Sequence, residues 1–417
     1  MVFLLAQQMV LKLKNKKILN IADKILFNYE LCDHCIGRVF AKIDNKLTNF
    51  ERGNIVRKYL KKYKKTNVKN CWLCSGLLNE IKHFADLISN SLKKFEYKTF
   101  LVGSKIDEEI LEKEQELLNF AGAEYSELIK SEINREIGKI LEMKLKKEVN
   151  FGNPTIMVII DTSFDSVHLQ ISSLYIYGRY KKFRRDLPQT RWFCKFCQGK
   201  GCKKCNYTGK VYNKSVEELI AKKFLKKTRG LDESFHGCGR EDIDARMLGN
   251  GRPFVLEIKK PVKRELNLLK LEKEINDINK NFIEINNLRY SNKEEVNRLK
   301  HAEFKKIYRI SIYGEKPINN EKLKKAVLSL RGKKIGQLTP SRVAHRRANM
   351  VREKHIYNCK IEHLDGNMAI LKIEAESGTY IKELISGDEG RTKPSISEMI
   401  GNPCKVTELD VMEIKGE

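Results

Sequence analysis

Apolar positions recur three and four residues apart in several stretches of this chain, the period of a helix that buries one face. The pattern predicts helices over residues 20–27, 108–120 and 126–147, the last with Ser126 as its N-cap. Compact apolar or alternating runs predict strands over 155–161 and 167–176. The basic run 178–185 (GRYKKFRR), together with the cysteines that follow it, reads as a domain junction. In SVEEL, Ser215 with Glu218 three residues on forms a capping box, which opens a helix to about residue 227. The stretch 237–254, GCGREDIDARMLGNGRPF, reads as a glycine-rich loop running into a strand, FVLEIKKP, that Pro261 ends. Residues 263–288 read as one long charged helix with a single apolar stripe, and Ser291 with Glu294 as a second capping box. Beyond it the pattern predicts a strand at 308–313, a helix at 321–330, a basic segment at 331–354 and strands at 355–362 and 368–376.

Composition adds a partner to this outline. Eighty-one Lys and Arg against 54 Asp and Glu give a formal charge of +27, which points to a polyanion and to nucleic acid first. Paired surface charges of the kind found in thermophile proteins account for many of the ions but not for their positive excess. An anionic membrane is the rival partner, yet no stretch approaches the ~18–20 apolar residues that a span requires. The opening MVFLLAQQMVLKLK lacks a basic start, a long apolar run and a small-residue cleavage site, so no secretory leader is expected and the chain is read as cytoplasmic.

The 11 cysteines are then out of place as disulfides, and eight of them fall in CxxC pairs. Cys32, Cys35, Cys71 and Cys74 form one set; Cys194, Cys197, Cys202 and Cys205 form another. Two CxxC knuckles complete a tetrahedral four-thiolate zinc site, closed to water and therefore structural. Buried free cysteines are the plain alternative. Cys238, Cys359 and Cys404 lie outside both sets, and Cys238 is assigned to packing.

The glycine-rich stretch is not a nucleotide loop. Gly237 and Gly239 lack the third glycine of a dinucleotide fingerprint, and GNGRP lacks the Lys-Ser/Thr of a phosphate loop. What remains is a carboxylate in a turn between Arg240 and Arg246, which by itself is equally an Asx-turn with surface ion pairs.

Here the residues carry a resemblance. GRED resembles the GRxD signature around the catalytic aspartate of pseudouridine synthases. KIYRISIYG (306–314) resembles the strand that supplies their active-site tyrosine, and SGTYIKEL (377–384) their GTYIR-type motif, with Lys382 in place of arginine. With YGRYKKFRRDLPQT, LTPSRVAHRRA and SGTYIKELISGDEGRT, the chain resembles the archaeal and eukaryotic tRNA pseudouridine synthases of the T-arm positions conventionally called 54 and 55. The resemblance implies an α+β fold: a catalytic domain over 175–417, built on a mixed antiparallel sheet with flanking helices and carrying the second cysteine set. Before it, the resemblance implies a basic region with zinc knuckles over 1–80 and a THUMP-like α/β domain over 81–174.

The resemblance also implies roles. Asp242 is similar to the catalytic nucleophile, with Asp244 as its competitor in the same stretch. Tyr308 would stack on the target uracil, Tyr380 would line the same pocket, and Lys382 would pair with Asp242 and keep it ionised. Lysine lacks the bidentate fork of arginine, which weakens that pairing. The reaction is an isomerisation, so structural zinc but no organic cofactor is implied. TPSRVAHRRANMVREK places Arg342, His345, Arg346, Arg347 and Arg352 in one span as candidate phosphate contacts, with 181–185 as a second set. Helical spacing would bring Arg342 and Arg346 onto one face. The implied partner is tRNA, gripped at the T-arm and, by the N-terminal half, at the acceptor end; no obligate protein partner follows. A noncatalytic, zinc-structured tRNA-binding protein is the alternative. A THUMP-bearing methyltransferase or thiolase would need a glycine-rich nucleotide or methyl-donor loop, and none is present.

Overall fold

The computed structural model describes residues 13–43 and 46–416, apart from the Arg346 side chain. Most of the apolar N-terminal stretch, and with it the reading of that stretch as no leader, lies outside these residues, as does the Arg346 phosphate contact. The chain divides into two compact units, Met1–Ser172 and Ser173–Glu417. No described helix is long and apolar enough to cross a membrane.

The first unit sets helices against a four-stranded sheet. Its strands are β1 (Thr99–Lys105), β2 (Glu148–Val149), β3 (Ile156–Asp161) and β4 (Ser166–Ile171), in the order β2-β1-β3-β4. Alternate residues of β1 are buried, the two-residue period of a strand with one face on a core. Helices Ile81–Leu92 and Ile129–Leu145 supply the other side of that core. One apolar cluster runs from Leu13 to Ile160 and includes all four cysteines of the first set. Helices Asp33–Val39 and Asn49–Leu60 cross at two glycines. A Cβ on Gly37 would lie 1.8 Å from the Asn49 carbonyl oxygen, and one on Gly53 would lie 1.9 Å from that of Asp33. The helix placed at 126–147 begins three residues later, because the Ser126 hydroxyl donates to the Ala123 carbonyl instead of capping. The strand placed at 167–176 is two strands, broken at residues 172–173 where the units divide.

The second unit is a ten-stranded sheet. Its strands are β5 (Leu174–Lys182), β6 (Asp232–Gly237), β7 (Ala245–Lys259), β8 (Ile283–Ser291), β9 (Lys306–Gly314), β10 (Lys333–Leu338), β11 (Val351–Asp365), β12 (Met368–Ala375), β13 (Thr392–Lys393) and β14 (Cys404–Ile414). They run β13-β10-β11-β12-β9-β14-β7-β5-β8, with β6 on β7. Every pairing is antiparallel except that of β14 with β7, so the fold is α+β with a mixed antiparallel sheet, as expected.

Several local readings change. The run 178–185 is no junction, since its first residues are the buried end of β5. GNGRP is a kink within β7 rather than a loop: Gly249 and Gly251 have φ of +56° and +74°, and a Cβ on Gly249 would sit 1.7 Å from the Met412 carbonyl oxygen. The long helix at 263–288 is a shorter helix, Leu268–Asn279, followed by β8. The cap of the next helix is Asn292, whose side chain accepts from the Glu295 amide, while Ser291 donates its hydroxyl to the Glu295 carboxylate. Ser215 caps its helix as expected, its hydroxyl accepting from the Glu218 amide, but the Glu218 carboxylate accepts from that hydroxyl rather than from the Ser215 backbone amide, so the reciprocal half of the box is not made.

Candidate active site

The loop between β6 and β7, residues 238–244, carries Asp242. It rests on a buried ion system that the sequence did not announce. Glu241 pairs with Arg252 at 2.8 Å, and both side chains are about 1% exposed. Tyr180 donates its hydroxyl to the Glu241 carboxylate at 2.9 Å, and Gln189 donates to that hydroxyl and to the Gly239 carbonyl. Arg252 also donates to the Cys238 carbonyl. Lys182, fully buried, donates to three carbonyls: Leu187 at 2.8 Å, Asp242 at 3.2 Å and Ile243 at 3.0 Å. Burial pushes the Lys182 ammonium down to about 8, against the pull of Glu241. A buried carboxylate or ammonium is tolerated only when paired in this way, so the Asp242 backbone is held from below by charge as well as by strand ends.

Above that base lies a cleft of about 610 Å³. One wall is β9, with Lys306 and Tyr308; a second is β14, with Leu409 and Val411. A third is the start of helix Ile381–Ser386, where Tyr380 is the N-cap and Lys382 follows. The last is the 3₁₀ turn Ser341–Arg346, with Arg342, and then Arg347. Six lysines and arginines line the cleft against three acidic residues, a balance suited to an anionic ligand. Tyr308 is 7% exposed, and burial pushes its phenol up to about 12. Lys306, on the same strand, donates to the Ser377 hydroxyl at 3.3 Å and is brought down to about 8 by burial and then by Arg252. Arg347 donates to the Tyr380 hydroxyl at 2.9 Å and lies 5.9 Å from the centre of its ring.

The structure brings Asp242, Tyr308, Tyr380 and Lys382 together, as the motifs imply, but redistributes the charges. Arg342 donates to one Asp242 oxygen at 3.1 Å, while Lys382 approaches the other at 3.5 Å. The shortest contact of Lys382 is Asp244, at 2.6 Å. A lysine has no fork with which to bind both carboxylates closely, and the arginine of the 3₁₀ turn supplies the hydrogen bond to Asp242. Arg342 is thus a cleft residue rather than part of an outward phosphate grip, and Glu383, only 6% exposed, orients it at 2.6 Å. The two acids together raise the Arg342 guanidinium against the effect of burial. Burial pulls the Asp244 carboxyl up, but the hydrogen bond from Lys382 outweighs it and holds the group below its usual value.

The arginines adjacent in sequence are engaged elsewhere: Arg246 grips Asp410 through two nitrogens, and Arg240 lies over Trp192 at 5.1 Å. The second basic set is also largely consumed by the fold. Lys182 is buried, Lys181 pairs with Glu284, Arg184 with Asp186, and Arg185 with Glu408 and Asp410. His345 is exposed and is absent from the described lining of the cleft; Arg352 donates to the Thr339 hydroxyl at 2.7 Å. Sequence reading missed Lys182, Glu241 and Lys306. The only trace of Glu241 was its place inside GRED.

Each cysteine set converges. The four sulfurs of each lie within 4.8 Å of one another, so each can hold a metal ion. Zn–S bonds of about 2.3 Å in a tetrahedron require sulfurs ~3.8 Å apart. Cys32 and Cys74 are 3.9 Å apart, Cys197 and Cys205 3.8 Å, and Cys202 and Cys205 3.7 Å. Backbone amides of Gly201, Cys202 and Gly209 point at sulfurs of the second set, and that of Cys32 points at Cys71, the support a thiolate needs. Cys238 is buried in a small apolar cluster with Tyr177 and Val255.

The family described as "Pus10, C-terminal" matches residues 175–415, and "Pus10 THUMP domain, archaeal" matches residues 84–161. The tRNA pseudouridine synthase Pus10 of Methanothrix thermoacetophila is 38% identical, with 96% of this chain and 95% of that protein covered. The protein of the same description from Methanocaldococcus jannaschii is 40% identical over the same shares. Among solved structures, a Cbf5-Nop10-Gar1 complex matches 48% of this chain and 45% of its own at 16% identity, with a TM-score of 0.31. The chain therefore belongs to the Pus10 family of tRNA pseudouridine synthases and is an enzyme of the isomerase class.

Proposed function

We propose that this chain converts uridine to pseudouridine at the two adjacent T-arm positions of tRNA, with Asp242 as the nucleophile. The observation that carries the reading is the carboxylate itself. Asp242 faces a cleft between two cations, Arg342 and Lys382, with Tyr308 and Tyr380 in the same walls. The reaction breaks the bond from N1 of uracil to the sugar, turns the base and joins its C5 to the same sugar carbon; the C5 proton is lost to water and N1 gains one. Atoms balance without a co-reactant. Two nearby cations complement the negative charge of the carboxylate and hold it facing the cleft. The flat ring of Tyr308 supports a base that must rotate while held, and Tyr380, oriented by Arg347, closes the pocket. Glu241, Arg252 and Lys182 position the loop. Arg347, His345 and Arg346 are read as phosphate contacts, with the THUMP-bearing unit on the acceptor end. Both cysteine sets are read as structural zinc sites. Eight of the 11 cysteines fall in CxxC pairs whose thiols must stay reduced to hold a metal, which suits a reducing compartment such as the cytoplasm.

The test is an unmodified tRNA transcript incubated with the full chain and mapped for pseudouridine chemically. Wild type is expected to modify T-arm uridines, and Asp242→Asn to bind the transcript while losing at least a thousandfold in rate. Product formation by Asp242→Asn, or binding without product by wild type, overturns the assignment.

A further inference from the structure

The second cysteine knuckle has a surface that holding a metal does not require. Between Asp186 and Glu217 the chain has seven lysines and arginines and no carboxylate. Three of these are engaged by residues outside the knuckle: Arg191 pairs with Glu233, Lys210 with Glu218, and Lys214 lies over Phe282. The other four, Lys195, Lys200, Lys203 and Lys204, are exposed and make no ion pair among the described residues. Interleaved with them are three large aromatic side chains left in water: Phe193 is 56% exposed, Phe196 70% and Tyr207 70%.

Two of these rings are held in place. Phe193 lies across Gly199, where a Cβ would come within 2.9 Å of the ring, and the Lys204 ammonium sits 3.6 Å from the centre of Phe196. The preceding residue, Trp192, lines the catalytic cleft, so the knuckle leaves directly from the cleft wall. Exposed aromatic surface also serves protein partners, but protein interfaces are depleted in lysine. Rings alternating with unpaired ammonium groups, free of any carboxylate, fit a strand that presents base faces and phosphates together.

We propose that the Cys194–Cys205 knuckle is a docking platform for unpaired RNA next to the nucleotide held in the cleft, its three rings stacking on bases and its four lysines meeting phosphates. The proposal rests on the reading of this chain as a tRNA-modifying enzyme, and it assigns the knuckle a task beyond holding a metal.

The test uses the full, metal-loaded chain and unmodified tRNA transcript, with Kd measured across a salt series. Phe193→Ala, Phe196→Ala and Tyr207→Ala combined should raise Kd at least tenfold. Lys203→Glu with Lys204→Glu, both on the surface, should flatten the slope of log K against log salt by about 0.7 for each phosphate no longer neutralised. Metal content equal to wild type shows that the knuckle is intact. If both variants bind with wild-type Kd and salt slope while wild type isomerises uridine, the platform fails and the enzyme reading stands. If wild type binds transcript but forms no pseudouridine, and the variants lose that binding, the platform stands and the enzyme reading fails.

Discussion

Two four-cysteine clusters of the same CxxC design occur in this chain and serve different physical ends. In the first unit Cys32, Cys35, Cys71 and Cys74 are each at most 2% exposed, lie inside the main apolar cluster and join segments distant in sequence. In the second unit Cys194 is buried but Cys197, Cys202 and Cys205 are half-buried, and the whole cluster closes within a short loop that shows its aromatics to water. A metal in the first site would hold a core together; a metal in the second would shape a surface. Spacing announces the ligands, and burial decides what the ligands are for.

The largest expected difference follows from removing one thiol from each cluster. Structural zinc is worth about 10–16 kcal/mol, comparable to or above the whole stability of a domain. Cys35→Ala should therefore leave the first unit unfolded, read as lost hydrogen-exchange protection in helix Ile129–Leu145. Cys197→Ala should cost one metal ion per chain and local order around the knuckle, while protection in β9 persists. Equal loss of protection in both units would erase the distinction.

A smaller contrast lies in the aromatics beside the clusters. Phe40 is 1% exposed in the first core, and Phe40→Ala should cost about 3–5 kcal/mol in chemical unfolding. Phe196→Ala, at a residue 70% exposed, should stay within about 0.5 kcal/mol. A comparable cost at Phe196 would show that its ring packs rather than waits for a ligand.

Burial against exposure also separates two lysines of the catalytic unit, Lys182 beneath the loop and Lys382 in the cleft. Lys182 titrates near 8 in the folded chain and near 10.5 when unfolded. Below pH 8 both states carry the proton and the cost of burying the charge is present in full. Between about pH 8 and 10.5 only the unfolded chain holds it, so stability from this group rises with pH, by up to about 3 kcal/mol. Relative to Lys182→Met, wild type should gain that much across this window in urea unfolding, followed by Trp192 fluorescence in a Trp72→Phe background. Parallel profiles would show that Lys182 stays charged throughout.

Much of this molecule is legible in one dimension because its signals are local. The two cysteine sets follow from CxxC spacing, the helix after Ser215 from its cap, and the carboxylate that faces the cleft from the register of GRED. Tyr308 and Tyr380 were already marked by their motifs, and the structure puts both in the cleft with Asp242. Where two periods overlap the pattern misleads. The alternation of Ile283 and Ile285 was absorbed into a helical stripe that actually stops at Asn279, and the glycines at 249 and 251 looked like a loop although they kink a strand.

The chain alone thus determined which residues reach the cleft and the cysteine clusters, because motif, spacing and capping are properties of neighbours. Tertiary structure decided how those residues pair. Asp242, Arg342 and Lys382 come from three separate elements, and their partition into an arginine for one acid and a lysine for the other depends on distances across space. The same holds for Lys182. In the sequence it is one cation in a basic run; in the fold three carbonyls and the nearby Glu241 surround it, and only burial turns a surface charge into a support for the loop that carries Asp242.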